Sequence, residues 1–138
     1  MLQTLALLST LAFGQPAAEP AQAPTPEQLA VGTIRSIISA QAFHKQKYAE
    51  LGYACSVERL VEVQALLDTL AAGKSFQGYT FKVWCEKASA PQVTYRASGV
   101  PVKKTKGSTL TVCTDETNVP RTVDGDVAAC FAKGVAAK

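Results

Sequence analysis

Residues 71–81 read AAGKSFQGYTF, and the fold turns on whether Gly73-Lys74-Ser75 cradles a phosphate or marks a helix running into a strand. A phosphate-binding loop needs G-x-x-x-x-G-K-[ST]; its first glycine lets backbone amides converge on the phosphates, and the loop follows a strand and opens a helix. Here Asp68 stands where that first glycine belongs, and a carboxylate there repels the ligand. The periodicity also runs in the opposite order. Leu60, Val63, Leu67 and Leu70 recur at helical spacing before Gly73, whereas Tyr79, Phe81 and Val83 alternate with Thr80, Lys82 and Trp84 after it. The stretch therefore reads as a glycine helix cap with a lysine suited to the helix C-terminus, and Gly78 then releases the first strand.

Upstream, Thr25-Pro26-Glu27-Gln28 has the makings of a helix start: Thr as N-cap, Pro at the first helical position, and Gln three residues on to close a capping box. A helix is expected from there to about Ala49, with Val31, Ile34, Ile38 and Ala42 on one face, Ile37 and Tyr48 beside them, and Gly52 to stop it. Arg35, Lys45 and Lys47 take its polar side. Ser56 caps a second, shorter helix that lasts until Gly73. Downstream of the first strand, Val93 and Tyr95 alternate with Thr94 and Arg96, and Leu110 and Val112 with Thr109, Thr111 and Cys113. Turns at 88–91 and 103–107 join these strands into an antiparallel meander. A short fourth strand is expected at 119–123, confined to an edge by Pro120, and the chain closes near Cys130. The fold class is α+β: an N-terminal helix packed on a three- to four-stranded antiparallel sheet, with a second short helix before the first strand.

A chain of 138 residues, 47 % apolar, supports one core rather than two. Its formal charge of +3 is slight, and Lys103, Lys104 and Lys106 form a solvated basic loop rather than a nucleic-acid stripe. Residues 1–13, MLQTLALLSTLAF, carry no charge; they are too short to span a membrane and suit the apolar region of a signal peptide. Cleavage is expected after Gly14, less readily after Ala23, although the usual positive residue is missing ahead of the apolar run. Residues 15–25 then form a Pro- and Ala-rich linker with little bulk to pack, and 26–138 the globular domain. Four cysteines in an exported chain point to two disulfides and a secreted or periplasmic location. Three pairings exist; joining neighbouring segments favours Cys55 with Cys85 and Cys113 with Cys130, bridges worth roughly 3 to 4 kcal/mol apiece. Zinc is disfavoured because there is no C-x-x-C spacing and a single His.

The candidates for chemistry are few. His44 would need a nucleophile and an orienting acid to act as a base, and no G-x-S-x-G or comparable frame supplies them. It reads as structural, and the chain as no enzyme, with no cofactor and no metal. Asp124 and Asp126, with Asp115 and Glu116 nearby, offer oxygen ligands without the spacing of a calcium loop, and read as an ordinary acidic turn. Trp84 is opposite in phase to Tyr79 and Phe81, so it points away from the helix side of the sheet and is the aromatic expected to be exposed and to touch a partner.

An ordered set of short matches carries a resemblance. Ile34-Arg35-x-Ile37-x-x-Ala40-Gln41, Gly52-Tyr53, Leu70-Ala71-x-Gly73-x-Ser75, Gly78-Tyr79-Thr80-Phe81, Tyr95-x-Ala97 with Pro101 after it, Thr114-Asp115-Glu116 and Val119-x-Arg121 resemble, in order, the globular heads of bacterial type IV pilin-like proteins. The match covers residues 34–123. It implies a long helix packed on an antiparallel sheet, often with a disulfide near the C-terminus, and a role as a subunit or accessory of a type IV pilus or a type II secretion pseudopilus. Pilins carry a basic leader and a continuous apolar helix that anchors them and builds the filament core. Where those belong, this chain shows a signal-peptide-like segment and the Pro-rich linker. The expectation is a separate head of a split pilin, docking on a short membrane helix made by another gene, with Val31, Ile34 and Ile38 as the docking face. A small periplasmic or extracellular ligand-binding module sharing the fold is the alternative, with a concave aromatic pocket near Trp84.

Overall fold

Thr25 starts the first helix in the computed structural model, which describes residues 14–71 and 73–138; the expected signal peptide lies almost wholly outside them. The Gln28 N–H donates to Thr25 Oγ1 at 3.2 Å, and the Thr25 N–H donates to Gln28 Oε1 at 2.8 Å, closing the capping box of α1, Pro26–Lys47. Residues 14–25 ahead of it are exposed and without regular structure. The face that α1 buries is rotated from the one expected. Ala30, Ile34, Ile37, Gln41 and His44 face inward, while Ile38 is half-buried and Ala42 exposed. Two polar residues enter the core because the loop at 51–55 offers them backbone partners. The Gln41 amide donates to Ala54 O and accepts from the Ala54 N–H, both at 2.8 Å.

The second helix ends far sooner than its leucine spacing predicts. α2 spans Val57–Glu62, capped by Ser56, and a 3-10 turn follows at Asp68–Leu70. What stops it is Gln64, which takes the left-handed conformation at φ 59°. The Ala65 N–H then reaches Leu60 O and the Gln64 N–H reaches Val61 O, each at 2.9 Å, which satisfies carbonyls the helix end would leave bare. Leu67 is turned outward as a result.

Among the described residues the sheet has six strands, not three or four: β1 Ser75–Phe76, β2 Tyr79–Trp84, β3 Arg96–Pro101, β4 Thr111–Asp115, β5 Arg121–Val123 and β6 Val135–Ala136. They run in chain order, each antiparallel to the next. Gln77 and Gly78, both at positive φ, make the two-residue turn that folds β1 onto β2. The third strand begins at Arg96 rather than Val93, which is exposed. Pro120 stands just before β5, and β5 is internal because β6 pairs with its far side. The C-terminal segment expected only to close near Cys130 forms a third helix, α3, Val127–Lys133, between β5 and β6.

α3 explains the burial of β4. Thr111, Val112, Cys113 and Thr114 are all buried, although strand alternation sends them to opposite faces. Val112 packs on the α1 side, where Gly99 leaves room for it and Phe81. Cys113 packs on the α3 side, where it bonds to Cys130. The second disulfide, Cys55–Cys85, ties the loop after α1 to the end of β2. Both bonds join neighbouring segments, and two disulfides suit an oxidising compartment. Among the described residues no helix is long and apolar enough to cross a membrane.

Candidate functional site

Beside its buried face, α1 borders a groove. Its opposite wall is the turn that Gln64 creates after α2, and Phe76 of β1 closes one end. A hollow of about 320 Å³ is lined by Thr33, Ser36, Leu66, Leu67, Leu70 and Phe76, with Gln64 and Ala65 at its rim. A shallower hollow of about 280 Å³ continues past Gln64 and Ala65 to Ser39, Ala40 and Phe43. The helix wall is less polar than its sequence. Thr33, Ser36 and Ser39 each donate their hydroxyl to the carbonyl four residues back, on Leu29, Gly32 and Arg35, at 3.0 to 3.2 Å. Each of these hydroxyls thus has a partner on the helix itself. Leu67 is 70 % exposed and Phe43 is 44 % exposed along this line, and the Lys47 ammonium lies 5.5 Å from the Phe43 ring.

Sequence reasoning placed the docking face one strip away. Val31 and Ile34 are buried in the core, 8 % and 0 % exposed, and are not open to a partner; Ile38 is half-buried. The phase of Trp84 was legible but its exposure was not. It lies on the face of the sheet away from α1, half-buried, with Phe131 of α3 edge-on at 5.8 Å. The Arg96 guanidinium covers the other aromatic, 4.6 Å from the Phe131 ring, and pairs with Glu86 at 2.9 Å. α3, invisible as a helix in the sequence reading, supplies that cover.

The other candidates are occupied by structure. Lys74 and Ser75 share a hollow with Asp68, between the 3-10 turn and β1, so the Gly-Lys-Ser run joins a helical turn to a strand, not a strand to a helix. Asp126 caps α3 by accepting from the Ala129 N–H at 2.7 Å, and Asp124 pairs with Lys104 at 3.1 Å. Asp115 accepts from the Thr117 N–H at 2.9 Å and its hydroxyl at 2.5 Å, and lies 3.4 Å from Arg121. Burial pushes the Asp115 carboxyl up, but the Thr117 bonds and the Arg121 and Arg96 charges outweigh it and hold the group below its ordinary value. Tyr79 donates to Leu110 O at 2.9 Å; burial, with the nearby Glu27 charge, pushes its phenol up to about 12. Burial raises Tyr95 as well. Both phenols stay protonated donors. Glu27 itself accepts from the Thr109 N–H, the Thr109 hydroxyl and the Leu110 N–H, at 2.8 to 3.2 Å, fixing the start of α1 to the β3–β4 loop.

His44 is not poised as a base. Its Nδ1 lies 2.8 Å from Gly52 O, and a carbonyl only accepts, so Nδ1 carries the proton. Nε2 accepts from Arg59 Nε at 3.2 Å. Gly52, at φ 75°, makes this corner possible: a Cβ there would stand 2.2 Å from Gln92 O, against which the loop is pinned. Among the described residues no buried side-chain nitrogen or oxygen lacks a partner, so their polar interior is complete. Compared with protein-family models, with curated proteins and with solved structures, the chain has no match.

Proposed function

We propose that this chain is an exported, non-enzymatic head domain of the pilin-like kind, a subunit or accessory of a type IV pilus or type II secretion pseudopilus that binds a protein partner through the groove beside α1. The observation that carries the reading is the groove: Leu67 and Phe43 stand exposed along a helix whose neighbouring hydroxyls are all turned onto its own backbone. Open apolar surface on a protein whose interior is otherwise satisfied marks an interaction site, and a wall of helix beside a trough suits a partner helix. The split-pilin form of the proposal seats that partner helix here rather than on Val31 and Ile34. Co-purification with pili tests it: Leu67→Asp abolishes recovery while leaving the fold intact, and recovery equal to that of the native chain refutes it.

A second reading, a small periplasmic or extracellular ligand-binding module, is favoured by the 320 Å³ hollow, since ligand pockets start at roughly 300 Å³. It moves the expected site from Trp84 to Phe76. Titration with small apolar compounds, followed at the amides of Ala65 and Phe76, distinguishes it: saturable shifts there support a ligand module, and their absence leaves the protein-docking reading.

A further inference from the structure

We propose that His44 and Arg59 form an acid-sensitive latch that holds α2, and with it one wall of the groove, against α1. His44 is the sole histidine of the chain and is 1 % exposed. In the closed arrangement its ring has room for one proton. That proton is on Nδ1, spent on Gly52 O, and Nε2 is the acceptor for an arginine that remains charged at any pH at which the fold persists. A second proton would sit on Nε2 and point at Arg59 Nε–H across 3.2 Å, cation against cation.

The groups around the ring decide which side yields. Gly52 is pinned: the Tyr53 N–H donates to Gln92 O, the Gln92 N–H donates to Leu51 O, Gln41 holds Ala54, and Cys55 is bonded to Cys85. Arg59 has a way out. Its side chain is 36 % exposed, lies 4.9 Å over the Tyr48 ring, and is 3.6 Å from Glu62 on the same helix. The Tyr48 ring lies 5.0 Å from the His44 ring, the Lys47 ammonium lies 5.5 Å from Tyr48, and Lys45 is turned to Tyr53; α2 itself carries Glu58 and Glu62. α2 is six residues long and depends on packing rather than on its own hydrogen bonds. Protonation of His44 therefore expels Arg59 toward solvent and loosens the turn after α2, where the Ala65 and Leu66 N–H groups both rest on Leu60 O. The state that opens is the one that binds the extra proton, so acid favours it. The latch is a property of the free protein and stands whether or not the groove seats a partner.

Amide hydrogen exchange on the full chain at pH 7.5 and pH 5.0, corrected for the pH dependence of chemical exchange, tests the latch. Protection at Ala65 and Leu66 should fall at least tenfold at the lower pH, while β2 and β3 stay unchanged. Arg59→Gln offers Nε2 a carbonyl instead of a cation, and the pH response should vanish; His44→Gln should abolish it too. Unchanged protection in the native chain, or the same drop in Arg59→Gln, overturns the proposal. If His44→Gln does not fold, Arg59→Gln decides alone.

Discussion

Toward the sheet, α1 presents Ile34, Ile37, Gln41 and His44, all buried, and the two polar side chains bonded at each available atom. Toward the turn after α2, the same helix presents Gly32, Ser36, Ser39 and Phe43, all exposed, beside a leucine that nothing covers. One side is finished and the other is not. Finished surfaces account for stability, where a change costs folding energy. Unfinished ones are where a change should cost binding and little else.

The largest effect should come from breaking the finished side. Ile34→Asp buries an unpaired carboxylate and should cost more than about 4 kcal/mol, leaving the chain unfolded in urea-free buffer by circular dichroism. A folded Ile34→Asp would mean that the inner side is not the core. Ile37→Ala should cost about 2 to 5 kcal/mol in urea denaturation, the range for a core cavity. Gln41→Leu leaves the Ala54 N–H and C=O without partners and should cost about 1 to 3 kcal/mol for each. A neutral Gln41→Leu would show that the corner at 51–55 rearranges freely.

Much of the finished side was legible. The Thr25 and Gln28 capping box, the Ser56 cap and the alternation in β2 rest on local chemistry, which is written in adjacent residues; the pairing of successive cysteines, 30 and 17 residues apart, rests on which segments lie beside each other. The misreadings share a cause. The inward turn of Gln41 and His44 depends on a loop thirteen and eight positions on, whose carbonyls turn toward them. Gln64 ends α2 where a glycine would have announced it, while Leu67 and Leu70 keep the helical spacing going. Asp126 was read as part of an acidic turn, though it caps α3, and without α3 the double burial of β4 has no explanation. The two-residue strands β1 and β6 are below what alternation can signal. The groove was least legible of all, because it is assembled from α1, the turn at 64–70 and β1, and no periodicity in one segment points to it.

Smaller effects sharpen the contrast elsewhere. Cys55 is exposed, whereas Cys113 and Cys130 are fully buried. A mild thiol should therefore open Cys55–Cys85 first, seen by alkylation and peptide mass mapping; loss of Cys113–Cys130 first would contradict the burial. Asp115 sets part of the acid limb. Its folded-state carboxyl titrates below the unfolded value near 3.9, so its stabilisation is present above that value and is lost as pH falls through the lower folded one. Asp115→Asn should flatten stability between about pH 5 and pH 2, and an unaltered slope would remove Asp115 from the account.

The smallest expected effect on stability belongs to the residue on which the proposed docking rests. Leu67→Asp lies on the surface and should change the unfolding free energy by no more than about 0.5 kcal/mol. Recovery of the tagged chain with pili sheared from producing cells, native against Leu67→Asp at equal thermal midpoint, is the most direct measurement. The account predicts that the native chain is recovered and the variant is lost. Equal recovery of both, or recovery of neither, would contradict it.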